Sequence, residues 1–196
     1  MIEQNLKGVR IGCAMTGSFC TFGKVFEAWR DLKARGAELV PVLSANSAVT
    51  DTRFYSAKEI TSIFEEITGQ KVRTTLPQVE PFGPKKWLDL LIVAPATGNT
   101  LAKMAAGIAD TAVTLAVKSH LRNGRPVLAA VSTNDALGQN AKNIGALLAA
   151  KHFYFVPFRQ DDWKNKPNSL VADFSLMADS AAEALQNRQI QPLLRP

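Results

Sequence analysis

Two textures alternate along the chain. Short apolar-dominated runs at residues 9–15, 38–43, 89–94, 126–131 and 153–157 show little polar alternation, which is how strands buried on both faces of a parallel sheet read. Between them, apolar residues recur at helical spacing. Phe22, Val25, Phe26, Trp29 and Leu32 make one buried face that stops before Gly36. A second face, Ile60, Ile63, Phe64 and Ile67, is opened by the capping box Ser56-Ala57-Lys58-Glu59 and closed by Gly69. Further helical faces carry Leu101, Met104, Ala105 and Ile108; then Ala112 to Arg122, stopped by Asn123-Gly124; then Asn140, Ile144, Leu147 and Leu148. A closing helix over 175–188 turns Ala181, Ala182 and Leu185 inward. Strands alternating with helices, without repeats, predict a single α/β domain over residues 1–196. Its architecture is a doubly wound parallel sheet with helices on both faces and ligands at the carboxyl ends of the strands.

Two stretches fall outside this rhythm. Residues 71–84 carry Pro77, Pro81 and Pro84 and read as a loop with at most one short strand at 71–76, and 153–157 reads as the last strand of the sheet. Residues 158–169 have the composition of a polar lid: Arg159, Lys164 and Lys166 to hold carboxylates, Trp163 to cover a planar ring. The tail after Gln191 reads as loose.

Composition narrows the class. With 46% hydrophobic and 20% charged residues, the chain can bury a large core without metals or disulfides. Cys13 and Cys20 flank a glycine turn, lack partners at metal-ligand spacing and read as buried free thiols. The net charge of +6 favours small anionic ligands; because the cations are scattered singly and no recognition motif accompanies them, nucleic acid is not an expected partner. Residues 1–7 hold no apolar signal core and no run reaches a membrane span, so a cytoplasmic protein is expected.

The candidate chemistry gathers at the strand ends. Pro95 is expected to end the central strand, leaving Thr97, Asn99 and Thr100 in a polar turn where Asn99 or Thr100 caps the next helix. Such a strand, turn and helix start make an anion site. Gly17 and Ser18 occupy the same place after the first strand. Ser44 follows the second, where an enzyme binding a ribose 2′-hydroxyl would carry an acid. Ser132, Thr133 and Asn134 close the fourth run; Asn134 suits either a ligand contact or a post-strand turn. His120 reads as a charge on a helix C-terminus and His152 as structural.

The stretch Ala94-Pro95-Ala96-Thr97-x-Asn99-Thr100-x-Ala102-Lys103-x-Ala105-x-Gly107-Ile108-Ala109-Asp110 resembles the core signature of the homo-oligomeric flavin-containing Cys decarboxylase family. The resemblance implies a Rossmann-like, flavodoxin-like fold and an FMN site built from Gly17, Ser18, Phe19, Ser44, Pro95, Ala96, Thr97, Asn99, Thr100, Ser132, Thr133 and Asn134, with no metal. It also implies assembly into trimers or multiples of them. The family's decarboxylases carry a histidine near the position of Pro81. This chain has none between residues 2 and 119, which argues against decarboxylation. Its Gly17-Ser18-Phe19-Cys20 turn and its 162–170 segment are instead similar to family members of spore-forming bacteria. Those members work with a dehydrogenase-like partner to oxidise a dihydropyridine dicarboxylate to pyridine-2,6-dicarboxylate. By that resemblance Asn134, Arg159, Lys164 and Lys166 are the candidate contacts for a small dicarboxylate, and a nicotinamide such as NADP would belong to the dehydrogenase-like partner. The alternatives are a decarboxylase or flavin prenyltransferase of the same fold, or a non-catalytic FMN-binding protein.

Overall fold

The computed structural model describes residues 6–196. Residues 1–5, and with them most of the stretch read for a signal core, lie outside the described residues. Four strands form the centre: β1 (Arg10–Met15), β2 (Glu38–Leu43), β3 (Leu90–Ala96) and β4 (Val127–Thr133), all parallel in the order β2-β1-β3-β4. A fifth parallel strand, β5 (Phe153–Phe155), pairs with the first half of β4.

The sheet is nonetheless mixed. The run at 153–157 is not the last strand: Pro157 has no N–H to give a ladder, and the chain turns into an antiparallel hairpin of β6 (Phe158–Arg159) and β7 (Leu170–Ala172). β7 pairs antiparallel with Ser132 and Thr133 at the end of β4. The expected loop at 158–169 therefore begins as a strand. The tail is not loose either. The Phe158 N–H donates to the Leu193 carbonyl at 3.0 Å and the Arg195 N–H to the Phe158 carbonyl at 3.0 Å, covering an edge that would otherwise lie open.

Helices cover both faces. On one side α1 (Phe22–Ala34), α3 (Ala57–Thr68) and α8 (Met177–Leu185) bury Phe22, Trp29, Phe64 and Met177 against the sheet. On the other, α5 (Gly98–Ala105), α6 (Ala112–Arg122) and α7 (Ala141–Leu148) bury Leu101, Val113, Val117 and Ile144. The Ser56 capping box and the Gly69 left-handed cap of α3 form as read. Two short helices were not legible: α2 (Ala45–Val49), and α4 (Leu76–Val79) with a 3-10 turn at Glu80–Phe82. Pro77 and Pro81 stand in first helical turns, where a missing N–H costs nothing. The strand expected at 71–76 shrinks to one bridge between Arg73 and Val42. α8 is shorter than the helix expected at 175–188, and its buried residues include Ala178, Ala181 and Ala184. Ile108 lies past the end of α5 and is exposed. Cys13 is buried, with its thiol pushed well up by burial, whereas Cys20 is exposed. No helix among the described residues is long and apolar enough to cross a membrane.

His120 departs from its expected role. It is buried inside α6, and burial, aided by the neighbouring Arg125, drives its pKa down to about 4 against partial opposition from Asp89 and Pro126. A neutral ring cannot serve the helix dipole as a cation. Because the unfolded value near 6.5 is the higher one, stability is whole above it and drains as pH falls toward the folded value, by about 3 kcal/mol near pH 4. Urea unfolding at pH 7.5 and pH 4 should show a larger loss in the parent than in His120→Gln, by about that amount.

Candidate functional site

The central strand is not ended by Pro95. β3 runs on to Ala96 through a cis Ala94–Pro95 peptide, with a register shift against β4 between Val93 and Ala96, a place where a ladder bond is already missing. Thr16, at the end of β1, ties the two strand ends together. Its hydroxyl donates to the Pro95 carbonyl at 2.7 Å and accepts from the Thr97 N–H at 3.1 Å. Thr97, rather than Asn99 or Thr100, caps α5 by accepting from the Thr100 N–H at 3.4 Å, and the two hydroxyls lie 3.0 Å apart. Ser44 caps α2 through the Ser47 N–H at 3.3 Å.

Thr97, Thr100, Ser44, Asn99 and Gly17 surround a small cleft of about 180 Å³. Lys103 borders it, with its ammonium 2.7 Å from Asp110. Hydroxyls and backbone N–H groups at the start of a helix suit a phosphate. Through Gly17 and Thr97 the cleft adjoins a cavity of about 660 Å³, within the range of cofactor sites. Ser18 and Ser132, joined by a 2.7 Å hydrogen bond, line this cavity, and Phe19, Phe54, Leu170 and Val171 give it apolar walls for a planar ring.

Its polar lining carries groups that sequence reading missed. Asp135 accepts from the Thr133 hydroxyl at 2.6 Å through Oδ1 and from the Asn140 amide at 2.7 Å through Oδ2. This knot presses on α5 at Gly98, where a Cβ would stand 2.5 Å from Asn140 Nδ2 and 2.7 Å from Asp135 Oδ1, so any larger residue there would push the knot apart. Asp161 accepts from the buried Ser169 hydroxyl at 2.6 Å and lies 3.7 Å from the Lys166 ammonium. Partial burial pushes its carboxyl up, but Ser169, backbone amides and Lys166 outweigh that and hold it below the ordinary range. Arg53 completes the lining, its guanidinium 4.8 Å from the Phe54 ring.

The expected residues divide. Gly17, Ser18, Phe19, Thr97, Ser132, Thr133, Asn134 and Lys166 line the large cavity; Ser44, Asn99 and Thr100 line the cleft; Pro95 and Ala96 form the strand end between β1 and β4. Two of the cations read as carboxylate contacts do not arrive. Arg159 pairs opposite Val171 and lines a separate cleft beside α1 with Lys24, Asp31 and Asp173. Lys164 lies over the exposed Trp163 ring at 5.3 Å and borders neither space. Trp163 likewise covers no ring site, since it is 64% exposed.

A model of the flavoprotein family matches residues 2–178, nine-tenths of the chain. The chain belongs to the flavoprotein family. Among flavoproteins it is 43% identical over 190 residues to the B subunit of dipicolinate synthase from Bacillus subtilis (strain 168), covering 97% of this chain and 95% of that protein. The crystal structure of the corresponding dipicolinate synthase protein from Bacillus halodurans C superposes with a TM-score of 0.91 at 39% identity, covering 98% of this chain and 99% of the other. The FMN-dependent cysteine decarboxylase SpaF shares the fold, with a TM-score of 0.66 at 23% identity over 91% of this chain and 98% of its own.

Proposed function

We propose that this chain is the FMN-binding component of a cytoplasmic dipicolinate synthase, working in sporulation with a dehydrogenase-like partner to oxidise dihydrodipicolinate to pyridine-2,6-dicarboxylate. The observation that carries the reading is likeness to a dipicolinate synthase component at 43% identity over 97% of the chain, against 30% over 74% for a coenzyme A biosynthesis bifunctional protein of Vibrio vulnificus (strain YJ016) and 32% over 37% for a phosphopantothenoylcysteine decarboxylase. The residues present suit the cofactor. Ser44, Thr97 and Thr100, with the backbone at Gly17, would hold the phosphate; Ser18, Phe19, Ser132, Thr133 and Asn134 would border the ring. A bound flavin supplies a two-electron acceptor, and NADP on the dehydrogenase-like partner is the other candidate hydride acceptor.

The chain's own residues bind and orient. Lys166 faces the cavity and attracts a dicarboxylate, while Phe19, Phe54 and Leu170 exclude water from one side of the ring. Assembly into a homotrimer or a multiple of one would cover the exposed Phe54 beside the cavity. Decarboxylation is the weaker alternative because neither His120 nor His152, the only histidines, borders the cavity.

The test begins with the absorbance spectrum of the purified chain and an FMN titration, followed by an ultraviolet assay of pyridine-2,6-dicarboxylate formation with the dehydrogenase-like partner and NADP. The expected result is one FMN per chain and product only when both proteins are present. A folded chain that ignores FMN, or product formed equally fast by the partner alone, overturns the reading.

A further inference from the structure

We infer that Asp161 is the proton acceptor of the oxidation, held in place by Ser169. This rests on the reading just proposed and deepens it.

Turning a dihydropyridine dicarboxylate into a pyridine removes a hydride from one ring carbon and a proton from its neighbour. The first C–H bond breaks with its electron pair leaving as hydride to a two-electron acceptor, which would be the flavin on this chain or the nicotinamide on its partner. The second C–H bond breaks with its proton going to a base, and its electrons become the ring double bond that completes aromaticity. A base on this chain must therefore border the cavity and keep a lone pair free.

Histidine is excluded, since both histidines lie elsewhere. Two carboxylates remain, and their hydrogen bonds separate them. Asp135 has both oxygens engaged, Oδ1 by Thr133 and Oδ2 by Asn140, in the knot that supports Gly98. Asp161 accepts from the Ser169 hydroxyl at Oδ1, whereas its Oδ2 has no side-chain hydrogen bond, Lys166 standing 3.7 Å away, and backbone amides of Asp161 and Asp162 support the carboxylate. A carboxylate oxygen keeps a second lone pair beside one hydrogen bond, so what separates the two is that Asp135 is tied into the knot through both oxygens while Asp161 Oδ2 is bound by no side chain.

The supporting geometry is built rather than incidental. Ser169 is buried and immediately precedes β7, the strand paired with Ser132 and Thr133 beside the cavity, so the carboxylate is referenced to the same strand end as the candidate flavin contacts. Ser169 Oγ also stands 3.5 Å from Asn134 Oδ1, linking Asp161 to a second cavity residue. The charged and titratable groups that share the cavity are Lys166 on the same hairpin, Arg53 before α3, Asp135 after β4 and Cys20 before α1. Ser169 and Lys166 favour the ionised carboxylate, the form that accepts a proton.

Asp161→Asn keeps the shape and the Ser169 contact but cannot take a proton. Two readouts separate its roles. Equilibrium binding of pyridine-2,6-dicarboxylate to the chain, which needs no turnover, should be equal or tighter in the variant because a negative charge facing a dianion is gone. Product formation with the dehydrogenase-like partner should fall by about 10²-fold or more, the usual scale for a lost general base. Ser169→Ala removes a hydrogen bond that favours the ionised form, so the acid limb of the rate should move to higher pH with binding unchanged. Full activity in Asp161→Asn, or binding lost in parallel with rate, overturns the assignment while leaving the proposed function standing. A parent chain that forms no product with its partner sinks both.

Discussion

A chain carrying Thr97→Val and Thr100→Val should bind FMN about 10²- to 10⁴-fold more weakly than the parent, measured by quenching of flavin fluorescence. Valine keeps the shape of threonine, so the change isolates the hydroxyls. The two oxygens lie 3.0 Å apart in the cleft beside Ser44 and can donate together to one phosphate. Each hydrogen bond to a charged group is worth about 1.5–3 kcal/mol, so losing both costs about 3–6 kcal/mol of binding. Thr97 also caps α5, and replacing it should remove about 1 kcal/mol of folding stability. Unfolding curves taken alongside the titration separate the two effects. Affinity within threefold of the parent in a folded double variant would place the phosphate elsewhere.

Trp29→Ala should cost about 3–5 kcal/mol of stability in urea unfolding, a large share of the roughly 5–15 kcal/mol typical of a domain. The indole is fully buried and stacks on Phe64 with centroids 6.2 Å apart, joining α1 to α3 across the sheet face. Its Nε1 finds no hydrogen-bond partner among the described residues. Trp29→Phe removes that unpaired donor along with some volume, so its loss should be much smaller than that of the alanine variant. Equal losses in the two variants would mean that ring stacking on Phe64 contributes little.

What the sequence made legible followed from burial. Strands β1 to β4 are covered on both faces, so their apolar runs announce them, and the capping chemistry of Ser56 and Gly69 is local enough to read directly. Pro95 misled because proline ordinarily ends a strand, and only the register shift beside β4 makes room for it inside one. The hairpin strands β6 and β7 span two and three residues, too few for any period to show. Their pairing decides the site. Arg159, within β6 and opposite Val171, lines the cleft beside α1, whereas Lys166, in the loop, reaches the cavity; composition gives the two the same weight. Neither Asp135 nor Asp161 stood out in the sequence, because the partners that give them roles, Asn140 and Ser169, lie five and eight residues away and meet them only in the folded chain.

The antiparallel hairpin has a consequence for how such a protein changes its trade. The small cleft is assembled from the ends of β1, β2 and β3, whereas Asp161 and Lys166 hang from a loop whose two legs are clamped, one to β4 and one to the C-terminal tail. Changes within residues 160–169 would therefore reshape one wall of the large cavity, which Asp161, Lys166 and Ser169 line, while leaving the small cleft at the strand ends untouched. The small cleft is held by the sheet alone and the large cavity by sheet and hairpin together, so variation in the hairpin loop reaches one space and not the other.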